Sequence, residues 1–166
     1  KKPKEAKKMD YEIEVGIIIG KKGKYIALEE AKNYIFGFCI VNDISERSWQ
    51  KERGGQWIKG KSIAGPCGPI LVTKDEIKDI NDINLVLDVN GERRQAGNTK
   101  RMIFSFNFLI SHISQFMKLY PGTIITTGTP AGTAMEMSSP KFLKMGDKLN
   151  LKVDYLGEQH QVVIDE

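Results

Sequence analysis

A chain of 166 residues, 40% hydrophobic and 28% charged, has the size and composition of one globular domain with a sizeable core. The first eight residues hold five lysines against one glutamate and so account for the whole net charge of +4, which leaves a neutral body behind a solvated basic lead-in over residues 1–9 and argues against a nucleic-acid partner. The longest apolar run, about Val15 to Ile19, is far too short for a bilayer, which excludes membrane insertion. The two cysteines make no disulfide framework and point to a reducing compartment, the cytoplasm or an organellar matrix.

Tyr11 to Ile19 is rich in β-branched residues and stops at Gly20-Lys21-Lys22-Gly23, which predicts a strand. Leu28 to Tyr34 carries good helix formers, and Gly37 to Val41 reads as a buried strand ending at Asn42-Asp43. Ser45 to Pro69 is polar and then Gly- and Pro-rich, and predicts a long irregular segment of the kind that carries function. Leu85–Val89 and Glu92–Gln95 flank Asn90-Gly91, a pair suited to a type I′ hairpin turn. Ser105 can cap a helix whose Phe108, Leu109, Ile113, Phe116 and Met117 share one face, ended by Tyr120-Pro121-Gly122. Thr123–Thr127, Leu149–Tyr155 and Gln159–Ile164 complete a strand-rich α+β domain without repeats or internal linkers.

Glu12 and Glu14 stand two apart on a predicted strand, so their carboxylates point to one face. Such a pair is ordinarily a polar surface, but the apolar run beside it suggests entry into a core, where two close anions need a cation or shared protons. Asp43 ends the second apolar strand, where an aspartate is commonly a turn former, yet it can complete a three-carboxylate site. An all-oxygen set suits Mg²⁺ or Mn²⁺ better than Zn²⁺, since no histidine or cysteine falls at a zinc-like spacing. Gly55 to Ser62 matches the phosphate-loop spacing, but no buried strand precedes it and the following Ala64-Gly65-Pro66 cannot open a helix. Lys61, with Arg47 and Gln50 upstream, can instead line an anion pocket or a solvated surface. Gly128-Thr129 offers backbone N–H groups and a hydroxyl, or simply a tight turn. His112 and His160 lack an evident acidic or cysteine partner and read as structural or exposed, and Cys67 as a small packed residue.

Taken in order, these stretches resemble the fumarylacetoacetate hydrolase family. They are Asp10-Tyr11-Glu12-Ile13-Glu14, Val41-Asn42-Asp43-Ile44-Ser45-Glu46-Arg47, Gly54 to Ser62, Val89-Asn90-Gly91-Glu92, Gly97-Asn98-Thr99 with Met102-Ile103-Phe104, and Thr127 to Gly132. The resemblance implies a mixed, rolled β-sheet with a few short helices, a catalytic domain over residues 10–166, and a homodimer. It further implies that Glu12, Glu14 and Asp43 ligate Mg²⁺, Mn²⁺ or sometimes Ca²⁺, that Lys61 is the catalytic or substrate-orienting lysine, that Arg47 and Gln50 contact substrate, and that Gly128 and Thr129 hold its carboxylate or oxo group.

The activity so implied is metal-dependent C–C bond hydrolysis of small diketo or 2-oxo acids, such as acylpyruvates or fumarylacetoacetate. Decarboxylation of 2-oxo acids, isomerisation or hydration in aromatic catabolism, and a catalytically silent metal-binding module are the alternatives. The family's hydrolases also share a histidine–glutamate pair on a short lid helix upstream of the metal strand, and Lys2-Pro3 resembles the lysine-proline motif that follows that lid. Ser62 to Pro69 departs from the pattern, being about two residues shorter than the usual loop and lacking its Asp-Thr-like element.

Overall fold

The β-branched stretch becomes β2 (Ile13–Ile19), and the strand's period of two sends Ile13, Val15, Ile17 and Ile19 into the core while Glu12 and Glu14 face the other way. The computed structural model describes residues 1–52, 60 and 65–165. Ahead of β2 lies β1 (Met9–Asp10); after it come β3 (Ile35–Asn42), β4 (Ser45–Glu46) and β5 (Val72–Thr73). One four-stranded sheet has the order β5-β3-β2-β8, with β8 at Ile124–Thr126. The second has the order β10-β9-β6-β7, built from β6 (Asn84–Val89), β7 (Glu92–Asn98), β9 (Lys148–Val153) and β10 (Gly157–Val162). Leu85, Leu87, Leu151 and Val153 from the second sheet join Ile13, Val15 and Ile17 from the first in one continuous core, giving the α+β architecture.

The β6–β7 hairpin turns at Asn90 (φ 53°) and Gly91 (φ 81°), the left-handed pair that a type I′ turn requires. Leu28–Tyr34 is helical but of the 3₁₀ type, too short and without a side-chain cap to hold an α-helix. Ser45–Pro69 is less irregular than the sequence predicts, because β4 pairs with β1 and Arg47–Lys51 forms a short helix. The Glu46 carboxylate caps that helix by accepting from Trp49 N–H at 2.7 Å and from the Ser48 hydroxyl at 2.6 Å.

The Phe106–Phe116 helix begins at Ser105, whose hydroxyl accepts from Phe108 N–H at 3.2 Å. Its inward face is not the expected one: Phe106, Ile110 and Ser114 are buried, whereas Phe108, Phe116 and Met117 are exposed. Two hydroxyls decide this rotation, Ser111 donating to the Ile26 carbonyl and Ser114 accepting from the Ile26 N–H, both at 2.8 Å. Outside lies a ladder of rings, Phe104 stacked on Phe108, Phe108 stacked on His112 and His112 edge-on to Phe116, beside Ile103, which is 91% exposed. Among the described residues no helix is long and apolar enough to cross a membrane.

The basic lead-in is docked, not free. Lys2 N–H bonds the Ile164 carbonyl at 2.7 Å, Ala6 and Met9 are buried, and the N–H groups of Lys7 and Lys8 both donate to Glu46. Lys1, Lys4, Glu5 and Lys7 stay exposed, which is why a composition reading sees a tail. Burial alone raises the Glu46 pKa, but the Ser48 hydroxyl and the amides of Lys8, Trp49 and Lys7 outweigh it and hold the carboxyl below its ordinary value. A depressed folded-state pKa contributes stability above the ordinary carboxylate range, and that stability is lost as pH falls through the folded value. Glu46→Gln is therefore expected to lower the unfolding free energy at pH 7 by about 2 kcal/mol. Urea titrations from pH 7 to pH 3 should show the gap to the unsubstituted chain closing as the solution is acidified.

Candidate metal centre

Three carboxylates converge where β2 and β3 begin and end. Glu12 and Glu14 lie on one face of the β2 stretch, and the Glu12 carbonyl accepts from Asp43 N–H at 2.9 Å at the end of β3. The antiparallel register brings Asp43 to the same spot, so that an oxygen of each of Glu12, Glu14 and Asp43 lies within 4.8 Å of the others. The two glutamates are buried and Asp43 is half-buried. Like charges so close repel, and the donor chemistry fits one hard divalent cation taking an oxygen from each, with coordination positions left for water or substrate.

Surrounding groups pin the carboxylates of Glu12 and Glu14 and of the neighbouring Asp10. The Arg47 guanidinium bonds Glu12 Oε1 from Nη2 at 2.6 Å, Asp10 Oδ2 from Nε at 2.9 Å and Gln50 Oε1 from Nη1 at 3.0 Å. Burial works against its charge, but Asp10 and Glu12 outweigh it and drive the Arg47 pKa upward. Asp10, fully buried, also accepts from the N–H groups of Tyr11, Ala134 and Met135. Glu14 Oε2 accepts from Gly128 N–H at 2.8 Å, and the Asn42 side chain holds the Glu12 N–H at 3.0 Å. Tyr11 is no proton acceptor here, since burial and then Asp10 push its phenol up to about 12.

The sequence-derived residues fall into place unevenly. Glu12, Glu14 and Asp43 meet as expected. Arg47 is buried against Asp10 and Glu12, and Gln50 beside it keeps a buried side-chain Nε2 without a hydrogen-bond acceptor among the described residues. Gly128 and Thr129 reach the centre, with the Gly128 N–H directed to Glu14 and the Thr129 hydroxyl to the Ile13 carbonyl at 2.9 Å. Lys61 lies outside the described residues, as does most of the Gly55–Ser62 stretch. The segment leading into that stretch includes the Arg47–Lys51 helix, and among the described residues it holds no strand of the kind a phosphate loop needs. His160 is exposed, 3.6 Å from Glu158, and His112 sits in the outer ring ladder. Cys67 is exposed, not packed; Cys39 is buried, and its thiol is pushed up by burial and then by Cys67. Asp10, Asn42 and Gln95 were not singled out individually. Asp10 and Asn42 stand inside recognisable motifs, while Gln95 gives no signal beyond its place in a hairpin.

A cavity of about 420 Å³ lies behind the Thr127–Ala131 loop, lined by Val15, Leu85, Met102, Phe104, Leu109 and Pro130 among others. Val15 faces the core side of β2 and the carboxylates face away from it, while the loop that lines the cavity also carries the Gly128 N–H directed to Glu14.

The family model for the fumarylacetoacetate (FAA) hydrolase C-terminal domain matches residues 1–164. The chain belongs to the fumarylacetoacetate hydrolase family. A protein of Burkholderia cenocepacia whose provisional name goes no further than hydrolase is 49% identical over 162 residues, covering 96% of this chain and 57% of that protein. The chain thus spans somewhat over half the length of the curated relatives it matches. A fumarylacetoacetate hydrolase from psychrophilic Exiguobacterium antarcticum superposes with a TM-score of 0.92 at 37% identity, over 98% of this chain and 58% of the other. The 2-hydroxyhepta-2,4-diene-1,7-dioate isomerase of Mycobacterium marinum gives 0.89 at 32%, over 99% and 62%. The fumarylpyruvate hydrolase of Pseudomonas aeruginosa, solved with Mn²⁺ and pyruvate, gives 0.88 at 30%, over 99% and 69%.

Breaking the arginine bridge leaves Asp10 buried beside a second acid without their shared cation. Arg47→Leu should therefore cost about 3 to 5 kcal/mol in urea unfolding. Arg47→Lys should restore only part of this, since an ammonium cannot span two carboxylates and an amide in one plane.

Proposed function

We propose that this chain forms the catalytic part of a metal-dependent hydrolase that cleaves a C–C bond in small diketo or 2-oxo acids. The observation that carries this reading is the convergence of Glu12, Glu14 and Asp43 within 4.8 Å at the ends of two paired strands. A family neighbour solved with Mn²⁺ and pyruvate supports both the class of cation and the class of ligand. In this reading the three carboxylates hold Mg²⁺ or Mn²⁺, with Ca²⁺ as a weaker substitute. The cation supplies Lewis-acid stabilisation of the enolate charge that C–C cleavage next to a carbonyl develops.

The chain's own groups do the rest. Arg47 holds the Glu12 carboxylate in its aim, so that ligand geometry is set before substrate arrives. Gln50, its carbonyl fixed by Arg47, offers its amide N–H₂ to a substrate oxygen. Gly128 and Thr129 form the rim that receives the substrate's carboxylate or oxo group. Lys61 is assigned, on family likeness, as the cation that orients the substrate at the reacting carbon. An isomerase reading is favoured by the M. marinum neighbour, and it needs the same enolate without the water attack.

Calorimetric titration of the chain with Mn²⁺ and Mg²⁺, then with oxalate as an enolate mimic, tests the site. Asp43→Ala is expected to weaken Mn²⁺ binding by more than the roughly 10–100-fold that loss of an outer partner costs. Unchanged Mn²⁺ and oxalate binding in that variant would rule the assignment out. Acylpyruvate cleavage by the whole protein, followed by loss of diketo absorbance, separates the hydrolase from the isomerase.

We further propose that two copies associate through the outer face of the Phe106–Phe116 helix. Ile103, Phe104, Phe108 and Phe116 there expose a contiguous apolar surface of the kind that monomers rarely tolerate. Phe108→Asp should convert a dimer to a monomer in sedimentation velocity while leaving far-ultraviolet circular dichroism unchanged.

A further inference from the structure

Two peptide units separate the strand carboxylates. The Ile13 N–H belongs to the first and the Ile13 carbonyl to the second, so whatever fixes these two groups fixes the spacing and aim of Glu12 and Glu14. Pairing with β3 holds one edge of β2 along its whole length, from Ile13 opposite Asn42 to Ile19 opposite Ile35. On the other edge β8 pairs with Gly16, Ile17 and Ile18, and among the described residues no strand lies beside the ligand-bearing stretch.

Side chains close that edge instead. Gln95 Oε1 accepts from Ile13 N–H at 3.1 Å, and its Nε2 donates to Thr129 Oγ1 at 2.8 Å and to the Pro130 carbonyl at 2.7 Å. The Thr129 hydroxyl donates in turn to the Ile13 carbonyl, while Thr127 does the same for Val15 at 2.8 Å. Gln95 is 1% exposed, so its own amide is closed off from water. The loop it grips also carries the Gly128 N–H that bonds Glu14. Close packing shows independently that the loop is fitted against β7, the strand that carries Gln95. A Cβ on Gly97 would sit 2.8 Å from Pro130 Cβ, and one on Gly132 would collide with the Arg94 carbonyl.

We infer that Gln95 is a positioning residue for the metal centre, a clamp that ties the Ile13 peptides to the Gly128–Thr129 loop and so sets both glutamate ligands at once. The inference rests on the reading of Glu12, Glu14 and Asp43 as metal ligands. It differs from a merely structural role in what it moves. A structural glutamine would change stability alone, whereas a clamp changes the affinity of the folded protein for the cation.

The test is Mn²⁺ binding to the full chain, read by the free-Mn²⁺ electron paramagnetic resonance signal at a temperature where every variant is folded. Gln95→Met and Thr129→Val should each raise the Mn²⁺ Kd about tenfold, the double variant about as much as either alone, and Thr129→Ser no more than about twofold. Val89→Ala, at the hairpin end of β6, should lower Tm without moving Kd. If Gln95→Met fails to fold, Thr129→Val and Thr129→Ser decide the matter from the other end of the clamp. An unchanged Kd in the folded variants, or strictly additive effects, while the unsubstituted chain binds Mn²⁺, overturns the inference and leaves the metal reading intact. No Mn²⁺ binding by the unsubstituted chain overturns both.

Discussion

Mutual repulsion among Glu12, Glu14 and Asp43 is the constraint to which the surrounding structure responds. Three acid groups with oxygens within 4.8 Å of one another cannot be gathered without a framework stiff enough to refuse relaxation. The framework is the paired strands β2 and β3, whose opposite faces are given over to the core. Arg47 sets one positive charge against Glu12 and Asp10, and backbone N–H groups meet Glu14 and Asp10. The cluster is thus held together by apolar packing on one side and by directed hydrogen bonds on the other.

Much of this was legible in the sequence because it follows from local rules. The spacing of Glu12 and Glu14 gives a shared face, and Asp43 at the end of an apolar run gives a strand terminus. Asn90-Gly91 gives the hairpin, and Ser105 gives the helix start. What failed depended on partners distant in the chain. The Phe106–Phe116 helix has apolar residues on more than one side, and the rotation is chosen by Ser111 and Ser114 meeting Ile26. The lysine-rich start looks like a tail until Glu46, some 39 residues away, gathers its amides. Arg47–Lys51 was hidden in a polar run because its cap is a glutamate that also serves the lead-in. Gln95 left no trace at all, since a single amide in a hairpin strand acquires its role only when the second sheet closes over the first.

The carboxylate cluster and the exposed ring ladder occupy separate surfaces. The carboxylates face away from the core, while the ring ladder and Ile103 lie outside the Phe106–Phe116 helix. The Thr127–Ala131 loop is the piece that touches both the metal centre and the apolar cavity behind it. A family that conducts different reactions on similar scaffolds can therefore vary the loop and its surroundings without disturbing the acids.

The two-sided character of β2 has a corollary for how the chain finds its fold. Because every second residue is an acid-side or oil-side residue, sliding this strand by one position against β3 would thrust Glu12 and Glu14 into hydrocarbon and present Ile13 and Val15 on the face that holds Asp43. Each such misalignment forfeits core burial and strands ionised groups at the same time, so near-native errors are steeply uphill. The residues that endow the protein with chemistry thereby also act as a spelling check on its assembly.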